Sequence, residues 1–305
     1  MKILKNYLAV FFLLTGVMML GACSSNDGDA VVFFPDWSEW SEFNTSCLPL
    51  AFAGSTGSFG SFTFDGDGNL LFPMSNLDEI RSLARDSCSV TTVASPVAGA
   101  PSFLGILYHD GWIYAGHTNS DIHRINPETG AGSVLVTVDS TVNGLGIAPA
   151  GFGDYGGQLI VATYSGRIYA VDLSVPTPAP VEFANTGTIA SSMVFGSDGT
   201  LYVAEFSNNK ILTVTAGGTV ADFATGLNQP DGLAINNEAG LLYVANVGDD
   251  TLKSVTIPGG VVTTMANYDF DGGWYPSPII YDEVSSILLM GIGDSSMTIE
   301  YLEIN

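Results

Sequence analysis

Side chains able to bind a small ligand lie at corresponding places in several segments of this chain. Asn143, Ser191 and Asp231 each lie near the start of a short apolar run, in the strings NGLGI, SSMVF and PDGLAI. Glu205 and Asn246 lie at the end of similar runs, LYVAE and LLYVAN. Their carboxylate, amide and hydroxyl groups could orient a bound molecule through hydrogen bonds. Asn and Asp also bond nearby backbone amides in turns, so a structural capping role stays open for Asn143 and Asp231.

Three further patterns invite a chemical interpretation. Trp274 and Tyr275 could stack on a sugar or an aromatic ligand, and a packing role fits them equally well. The string DGDGN at 65–69 is similar to the beginning of a calcium-binding loop, but it lacks the later glutamate, and a hairpin turn explains it. The three histidines fall within one stretch, 109–123, which does not favour a dispersed catalytic triad.

The candidate ligand-binding residues belong to a sequence repeat that indicates the architecture. One pattern occurs six times, at intervals of 41 to 46 residues. It consists of a run of aromatic or β-branched residues, a short polar turn and a second segment in which apolar and polar residues alternate. The copies are anchored on Leu70, Ile113, Leu159, Leu201, Leu242 and Leu288. A period near forty that is carried by short strands is typical of propeller blades. We therefore predict an all-β, six-bladed β-propeller over residues 47–305.

The fourth copy shows how each blade is built. SSMVFGSDGT at 191–200 predicts an inner strand and a turn, LYVAEF a second strand, KILTVT a third and TVADFA at 219–224 a fourth. Because successive antiparallel strands reverse direction, loops that lead into first strands share one face with loops between second and third strands. We call this the front face. It is expected to gather Asn143, Ser191, Glu205, Asp231, Asn246, Trp274 and Tyr275.

The sixth copy has no fourth strand before Asn305. The string CLPLAFA at 47–53, which precedes the first inner strand, is similar to VADFA at 220–224. We predict that this N-terminal strand completes blade six and closes the ring, so that no sheet edge stays open between the first and last blades.

The strings PDGLAI and NGLGI, with the hairpins and YVA-like strands that follow them, resemble the six-bladed propellers of the NHL-repeat and SMP-30/gluconolactonase type. The resemblance covers most of the chain after the first 46 residues. In the lactonase branch a divalent cation lies over the central channel, polarises an ester carbonyl and activates water. The resemblance implies that Asn143 and Asp231 are metal ligands for Ca²⁺, and that Asp231 also serves as the catalytic base.

The chain departs from the lactonase pattern at the first inner strand. Where the lactonases begin that strand with a glutamate ligand, this chain has SFGS at 58–61. A single carboxylate would hold calcium weakly unless Asp249, Glu205 or water completed the shell. The sequence therefore predicts a module that binds a small molecule, a glycan or a protein partner. A calcium-dependent lactonase or esterase is the alternative.

The N-terminus predicts export and a lipid anchor. Within residues 1–22, two lysines precede an apolar run of the length typical of a signal peptide rather than a membrane span. The following string LGAC resembles the lipobox of bacterial lipoproteins, which implies lipid attachment at Cys23. Ser24 in place of an aspartate favours the outer membrane by resemblance to the known sorting rule. We expect a lipid-anchored tether at 23–46 and an outer-membrane lipoprotein on the periplasmic or cell-surface side.

The charge of the chain limits its possible partners, and its cysteines allow a disulfide. Without the signal peptide, six basic side chains oppose 31 acidic ones, which excludes nucleic acid as a partner. Beyond Cys23 the chain has Cys47 and Cys88. Export to an oxidising compartment is compatible with a disulfide between them, and two isolated buried thiols are the alternative.

Overall fold

The computed structural model describes residues 41–52, 59–75, 77–95, 102–268, 276–293 and 297–304. These residues form 24 strands in six four-stranded antiparallel sheets. The all-β, six-bladed propeller predicted from the repeat is therefore confirmed. In this part of the chain, no helix is long and apolar enough to span a membrane.

Blades one to five are meanders of four consecutive strands, and the first strand of each lines the centre of the ring. Blade one contains β2 (Thr63–Phe64), β3 (Leu70–Met74), β4 (Glu79–Leu83) and β5 (Val90–Ala94). Blade two contains β6 (Phe103–His109), β7 (Trp112–His117), β8 (Asp121–Ile125) and β9 (Gly132–Thr137). Blade three contains β10 (Val142–Ile147), β11 (Leu159–Thr163), β12 (Arg167–Val171) and β13 (Pro180–Asn185), with a short 3-10 helix at Gly153–Tyr155.

Blades four and five repeat this plan closely. Blade four contains β14 (Ala190–Phe195), β15 (Leu201–Glu205), β16 (Lys210–Val214) and β17 (Val220–Ala224). Blade five contains β18 (Pro230–Asn236), β19 (Leu241–Asn246), β20 (Thr251–Thr256) and β21 (Val262–Asn267).

Blade six takes its outer strand from the other end of the chain. It contains β22 (Pro276–Asp282), β23 (Ile287–Ile292), β24 (Thr298–Glu303) and β1 (Leu50–Ala51). Leu50 pairs with Ile299 and Ala51 with Thr298 in an antiparallel register. Of the predicted segment 47–53, Leu50–Ala51 form the strand, Cys47 ends a 3-10 helix that begins at Thr45, and residue 53 lies outside the described residues.

Each seam between neighbouring blades is filled by its own group of buried apolar side chains. The seam between blades six and one also contains a group of aromatic rings whose centroids lie 5.5 to 6.3 Å apart. These rings belong to Phe52, Phe59, Phe62 and Phe72. Phe43, from the segment that the sequence assigns to the tether, is buried in the same seam. Packing against the ring therefore begins before residue 47.

A buried ion pair crosses this seam. The guanidinium of Arg85 donates two hydrogen bonds to the carboxylate of Asp282, at 2.8 and 2.9 Å, and both side chains are almost fully buried. Arg85 also donates to the backbone carbonyls of Ser41 at 2.7 Å and Gly68 at 3.0 Å. The pair thus connects the turn after β4 of blade one, the end of the inner strand of blade six and the N-terminal segment.

The N-terminal segment is held against blade one by further links. The structure joins Cys47 and Cys88 in a disulfide, with their Cα atoms 5.7 Å apart. The Asn44 amide donates to the carbonyl of Arg85 at 2.7 Å, and the Phe43 amide donates to the Ser285 hydroxyl of blade six at 2.6 Å. Residues 43–52 therefore form a strap across the seam between blades six and one.

Candidate functional site

A β-bulge lies at the start of the inner strand in blades two to six. In each of these blades the ladder between the first and second strands loses register within the first few residues. A bulge bends its strand and changes the direction of a side chain, and bulges are frequent next to functional sites. The residues inside these irregularities that line the central channel include Leu104, Asn143, Ser191, Asp231 and Ser277.

Successive bulges pack so tightly that glycine is required beside them. A Cβ atom on Gly232 would lie 2.0 Å from the carbonyl oxygen of Ser277, and one on Gly60 would lie 2.0 Å from that of Leu104. These distances are far inside van der Waals contact, so any side chain would force the neighbouring backbone to move. The glycine of PDGLAI is thus explained by the close approach of blades five and six.

The inner strands enclose a cavity of about 910 Å³ that extends from the front ends of these strands to their back ends. This volume lies within the range of roughly 300–1,000 Å³ found for small-molecule sites. The walls between the two ends are largely apolar and include Phe62, Ile106, Met193, Leu233 and Ile279. A ligand in the channel would be largely removed from water.

Asp231 is the carboxylate at the front end of this cavity. It is half-buried and lines the cavity. The hydroxyl of Ser277 donates a hydrogen bond to Asp231 Oδ2. Burial raises the pKa of Asp231, and hydrogen bonds from the hydroxyls of Ser277 and Ser191 partly oppose this rise. The carboxylate is therefore a desolvated group held in place by its neighbours.

Ser191 and Asn143 occupy equivalent positions in blades four and three. Ser191 is buried, and its hydroxyl lies 3.1 Å from the carbonyl oxygen of Pro230 and 3.3 Å from that of Ala204. Asn143 is half-buried on the same cavity wall. The structure thus brings Asn143, Ser191 and Asp231 to one end of one cavity, as the sequence predicted for the front face.

Tyr164, from the loop after β11, lines the cavity near Asp231. It is 38% exposed, yet burial of its hydroxyl and then the negative charge of Asp231 raise the pKa of Tyr164 to about 12. Tyr164 follows β11 directly and contributes to the cavity wall from the front-face loop. Tyr164 adds an aromatic surface and a hydroxyl to the front end.

Glu205 and Asn246 do not line the channel. Glu205 is 1% exposed, and it accepts hydrogen bonds from Thr188 at 3.0 Å and Asn208 at 2.8 Å. Asn246 is fully buried, and its side-chain oxygen accepts a hydrogen bond from the backbone N–H of Asn228 at 2.7 Å. In both blades the side chain that ends the second strand ties together the two front-face loops of its own blade. Both side chains therefore hold the front-face loops of their own blade and lie outside the lining of the cavity.

The residues that follow Glu205 and Asn246 do line the channel. Phe206 and Val247 lie on the cavity wall, in the position that Tyr164 holds in blade three. Side chains of consecutive residues in a strand point to opposite faces. The last residue of the second strand therefore holds the loops, whereas the residue after it lines the channel. The position immediately after the second strand of each repeat is the sequence signal that would have found all three.

The remaining candidate residues lie outside the described residues or at the back end of the channel. Trp274, Tyr275 and Cys23 fall outside the described ranges. The DGDGN string forms a hairpin turn in which Asp65 Oδ1 accepts from the amides of Asp67 at 3.0 Å and Asn69 at 2.9 Å. The carboxylate is thus occupied within its own turn.

The described donors at the front end do not fit the calcium site that the lactonase resemblance implies. Among the described residues, Asp231 is the carboxylate at that end, and the other cavity-lining acids, Asp65, Asp110 and Glu283, lie at or beyond the back ends of their strands. Among the described residues, no group of three or more His, Cys, Asp or Glu side chains is placed to hold a metal ion. A calcium ion takes six to eight oxygens, typically including several carboxylates.

No protein-family model matches the chain, and no curated protein matches it by sequence. Its fold is similar to that of several solved structures. Virginiamycin B lyase from Staphylococcus aureus is 18% identical, with 85% of this chain and 88% of that chain covered and a TM-score of 0.60. A streptogramin B lyase is 16% identical, with 86% and 97% covered and a TM-score of 0.61.

A third similar structure is an auxiliary nutrient binding protein from Bacteroides thetaiotaomicron. It is 18% identical, with 83% of this chain and 70% of that chain covered and a TM-score of 0.62. At such low identity the likeness concerns the fold alone. The chain therefore shares the six-bladed propeller fold of these proteins.

Proposed function

We propose that the protein is a binding module that holds a small molecule in its central channel without turnover. The observation that carries the proposal is the cavity of about 910 Å³, whose front end is polar and whose walls are apolar. Asn143, Asp231 and Tyr164 supply hydrogen-bonding groups at one end, and the apolar walls remove the body of the ligand from water. Fold likeness to a nutrient-binding protein supports this function by analogy.

Binding of a neutral apolar dye tests the proposal. N-phenyl-1-naphthylamine fluoresces strongly in apolar surroundings and should bind the purified protein with one site per chain. Asn143→Trp places a large ring at the front end and should weaken binding at least tenfold. Val181→Trp, on an outer strand where Val181 is exposed, is the matched control and should bind as the parent does. Absence of dye binding, or equal binding by both variants, would refute the channel as the site.

Attachment to the outer membrane through Cys23 is a second part of the proposal. It is supported by the lipobox-like string and by Ser24 after the cysteine. The full chain expressed in a bacterial host should fractionate with the outer membrane and carry a diacylglycerol adduct detectable by mass spectrometry. Cys23→Ser should release it in soluble form. A mature chain that lacks the adduct would refute the anchor.

The finer family assignment, to the NHL-repeat and SMP-30/gluconolactonase type, rests on the strings NGLGI and PDGLAI. A calcium-dependent lactonase or esterase is the alternative function, favoured by the position of Asn143 and Asp231 on one cavity wall. A calcium titration followed by thermal shift, together with lactone and ester hydrolysis assays, separates the two. Hydrolysis that requires calcium and is lost in Asp231→Ala, with an unchanged melting temperature, would overturn the binding-only proposal.

A further inference from the structure

Each Lys and Arg side chain among the described residues contacts an acid or an aromatic ring. Arg81 pairs with Glu79 at 2.8 Å, and Arg85 pairs with Asp282 across the seam. The other basic residues lie on the third strands of blades two to five, and each contacts an acid or a ring of its own blade. These residues are Arg124, Arg167, Lys210 and Lys253. Together with Arg81 and Arg85, they account for every Lys and Arg beyond the signal peptide.

The charges that face the channel are consequently of one sign. The described residues that line the cavity include four acids and neither Lys nor Arg. These acids are Asp65, Asp110, Asp231 and Glu283. A cleft lined by one sign of charge and bounded by apolar walls concentrates the electric field and attracts counter-charged ligands. An anionic ligand would instead meet repulsion from the acids at both ends of the channel.

The front end adds two features that suit an organic cation. The Asp231 carboxylate accepts from a hydroxyl group, which leaves its negative charge without a basic partner in the cavity. The aromatic ring of Tyr164 lines the same end, and rings of this kind attract cations. A protonated amine placed there would gain a charge-assisted hydrogen bond and would relieve the desolvation of the carboxylate.

From these observations we propose that the channel selects an apolar molecule that carries a protonated amine, with the amine docked against Asp231. This inference rests on the proposed function, since it names the ligand class of the same cavity. It explains why the polar end has a carboxylate and hydroxyls, whereas the walls between the ends offer apolar groups such as Met193, Leu233 and Ile279. It also predicts discrimination against carboxylates and phosphates of equal size.

The test is displacement of bound N-phenyl-1-naphthylamine by three compounds with the same apolar body. These are 4-phenylbutylamine, 4-phenyl-1-butanol and 4-phenylbutyrate, compared at pH 7 and low salt. A charge-assisted hydrogen bond should make the amine roughly tenfold or more stronger than the alcohol. The carboxylate should be the weakest. The readout is the ratio of amine to alcohol affinity, which a general change in dye binding does not affect.

Variants assign the preference to one carboxylate. Asp231→Asn should bring the ratio of amine to alcohol affinity close to one. Asp154→Asn, at an exposed acid away from the cavity, should leave the ratio at its parental value. An amine no better than the alcohol would overturn the inference while the dye still supports a channel site. A preference abolished by Asp110→Asn and not by Asp231→Asn would overturn the assignment to Asp231. A parent protein that binds no dye would overturn both the inference and the proposed function.

Discussion

Replacement of Asp282 by alanine tests whether the buried ion pair holds the ring closed between blades six and one. The Arg85 guanidinium would lose two hydrogen bonds, of 2.8 and 2.9 Å, and would keep those to the carbonyls of Ser41 and Gly68. Its positive charge would stay buried, because the side chain is 3% exposed and lies among apolar rings. The variant therefore leaves a desolvated charge without its counter-ion.

The expected cost follows from this burial. Removing one partner of a buried ion pair destabilises a protein by roughly 3–5 kcal/mol. For a domain of this size each kcal/mol lowers the melting temperature by about 2–4 °C, so the midpoint should fall by roughly 6–20 °C. The pair between Glu79 and Arg81 is the matched control, with side chains 24% and 22% exposed. Glu79→Ala should cost no more than about 1 kcal/mol.

Urea unfolding, followed by circular dichroism, gives the free energy of unfolding of both variants. The slope of this free energy with urea concentration shows whether unfolding stays cooperative. A double variant, Arg85→Met with Asp282→Leu, removes both charges and should recover much of the loss, since an apolar pair of similar volume leaves no buried charge unpaired. If Asp282→Ala were no more destabilising than Glu79→Ala, the ion pair would not be what secures the seam.

Three further substitutions test other parts of the structure. Cys88→Ser opens a disulfide that spans 41 residues and should cost about 4 kcal/mol in urea unfolding, matching reduction of the parent protein. Burial raises the pKa of Asp231, so the parent protein loses stability as pH rises from 3.8 through the folded-state pKa. Asp231→Asn should therefore be more stable than the parent at pH 7 and equal to it below pH 3.8. A difference that does not change with pH in thermal melts would contradict this cause. Gly232→Ala should destabilise by roughly 1–3 kcal/mol through a backbone clash, whereas Gly217→Ala, whose Cβ would meet no atom closer than 3.9 Å, should be nearly neutral.

Much of the strand pattern could be predicted from the sequence because it depends on local chemistry. In blade four the predicted segments 191–200, 210–215 and 219–224 overlap β14, β16 and β17. Alternating apolar residues determine which side of a strand is buried, and Asp-Gly or Gly-Gly pairs adopt the turn conformations that end the strands. Gly199 and Gly218, for example, both have positive φ, at 79°. Such information lies within a few residues of each strand.

The channel wall was harder to predict because it depends on contacts between blades. Asn143, Ser191 and Asp231 were found since each lies at the start of an inner strand. Glu205 and Asn246 lie one residue before the channel-lining Phe206 and Val247, and an offset of one residue turns a side chain to the opposite face of its strand. Neither the bulges nor the approach of Ser277 to Asp231 has a local signal, because both arise where inner strands of different blades meet.

Among the described residues, blades three to six contribute more polar groups to the front end of the channel than blades one and two do. Blades three to five supply polar groups at their bulges and larger side chains after their second strands, namely Asn143, Ser191, Asp231, Tyr164, Phe206 and Val247. In blades one and two the residues after the second strand are the small Ser75 and Thr118, and the bulge of blade two presents Leu104. Among the described residues, the side chains at the front end therefore come largely from blades three to five, joined by Ser277 of blade six. The two seams between blades three, four and five are filled by their own apolar groups. Rigid packing in these seams holds the front-end side chains in place without help from distant contacts. A substitution that weakens packing between blades six and one should therefore change the position of Asp231 chiefly through its hydrogen bond from Ser277 of blade six.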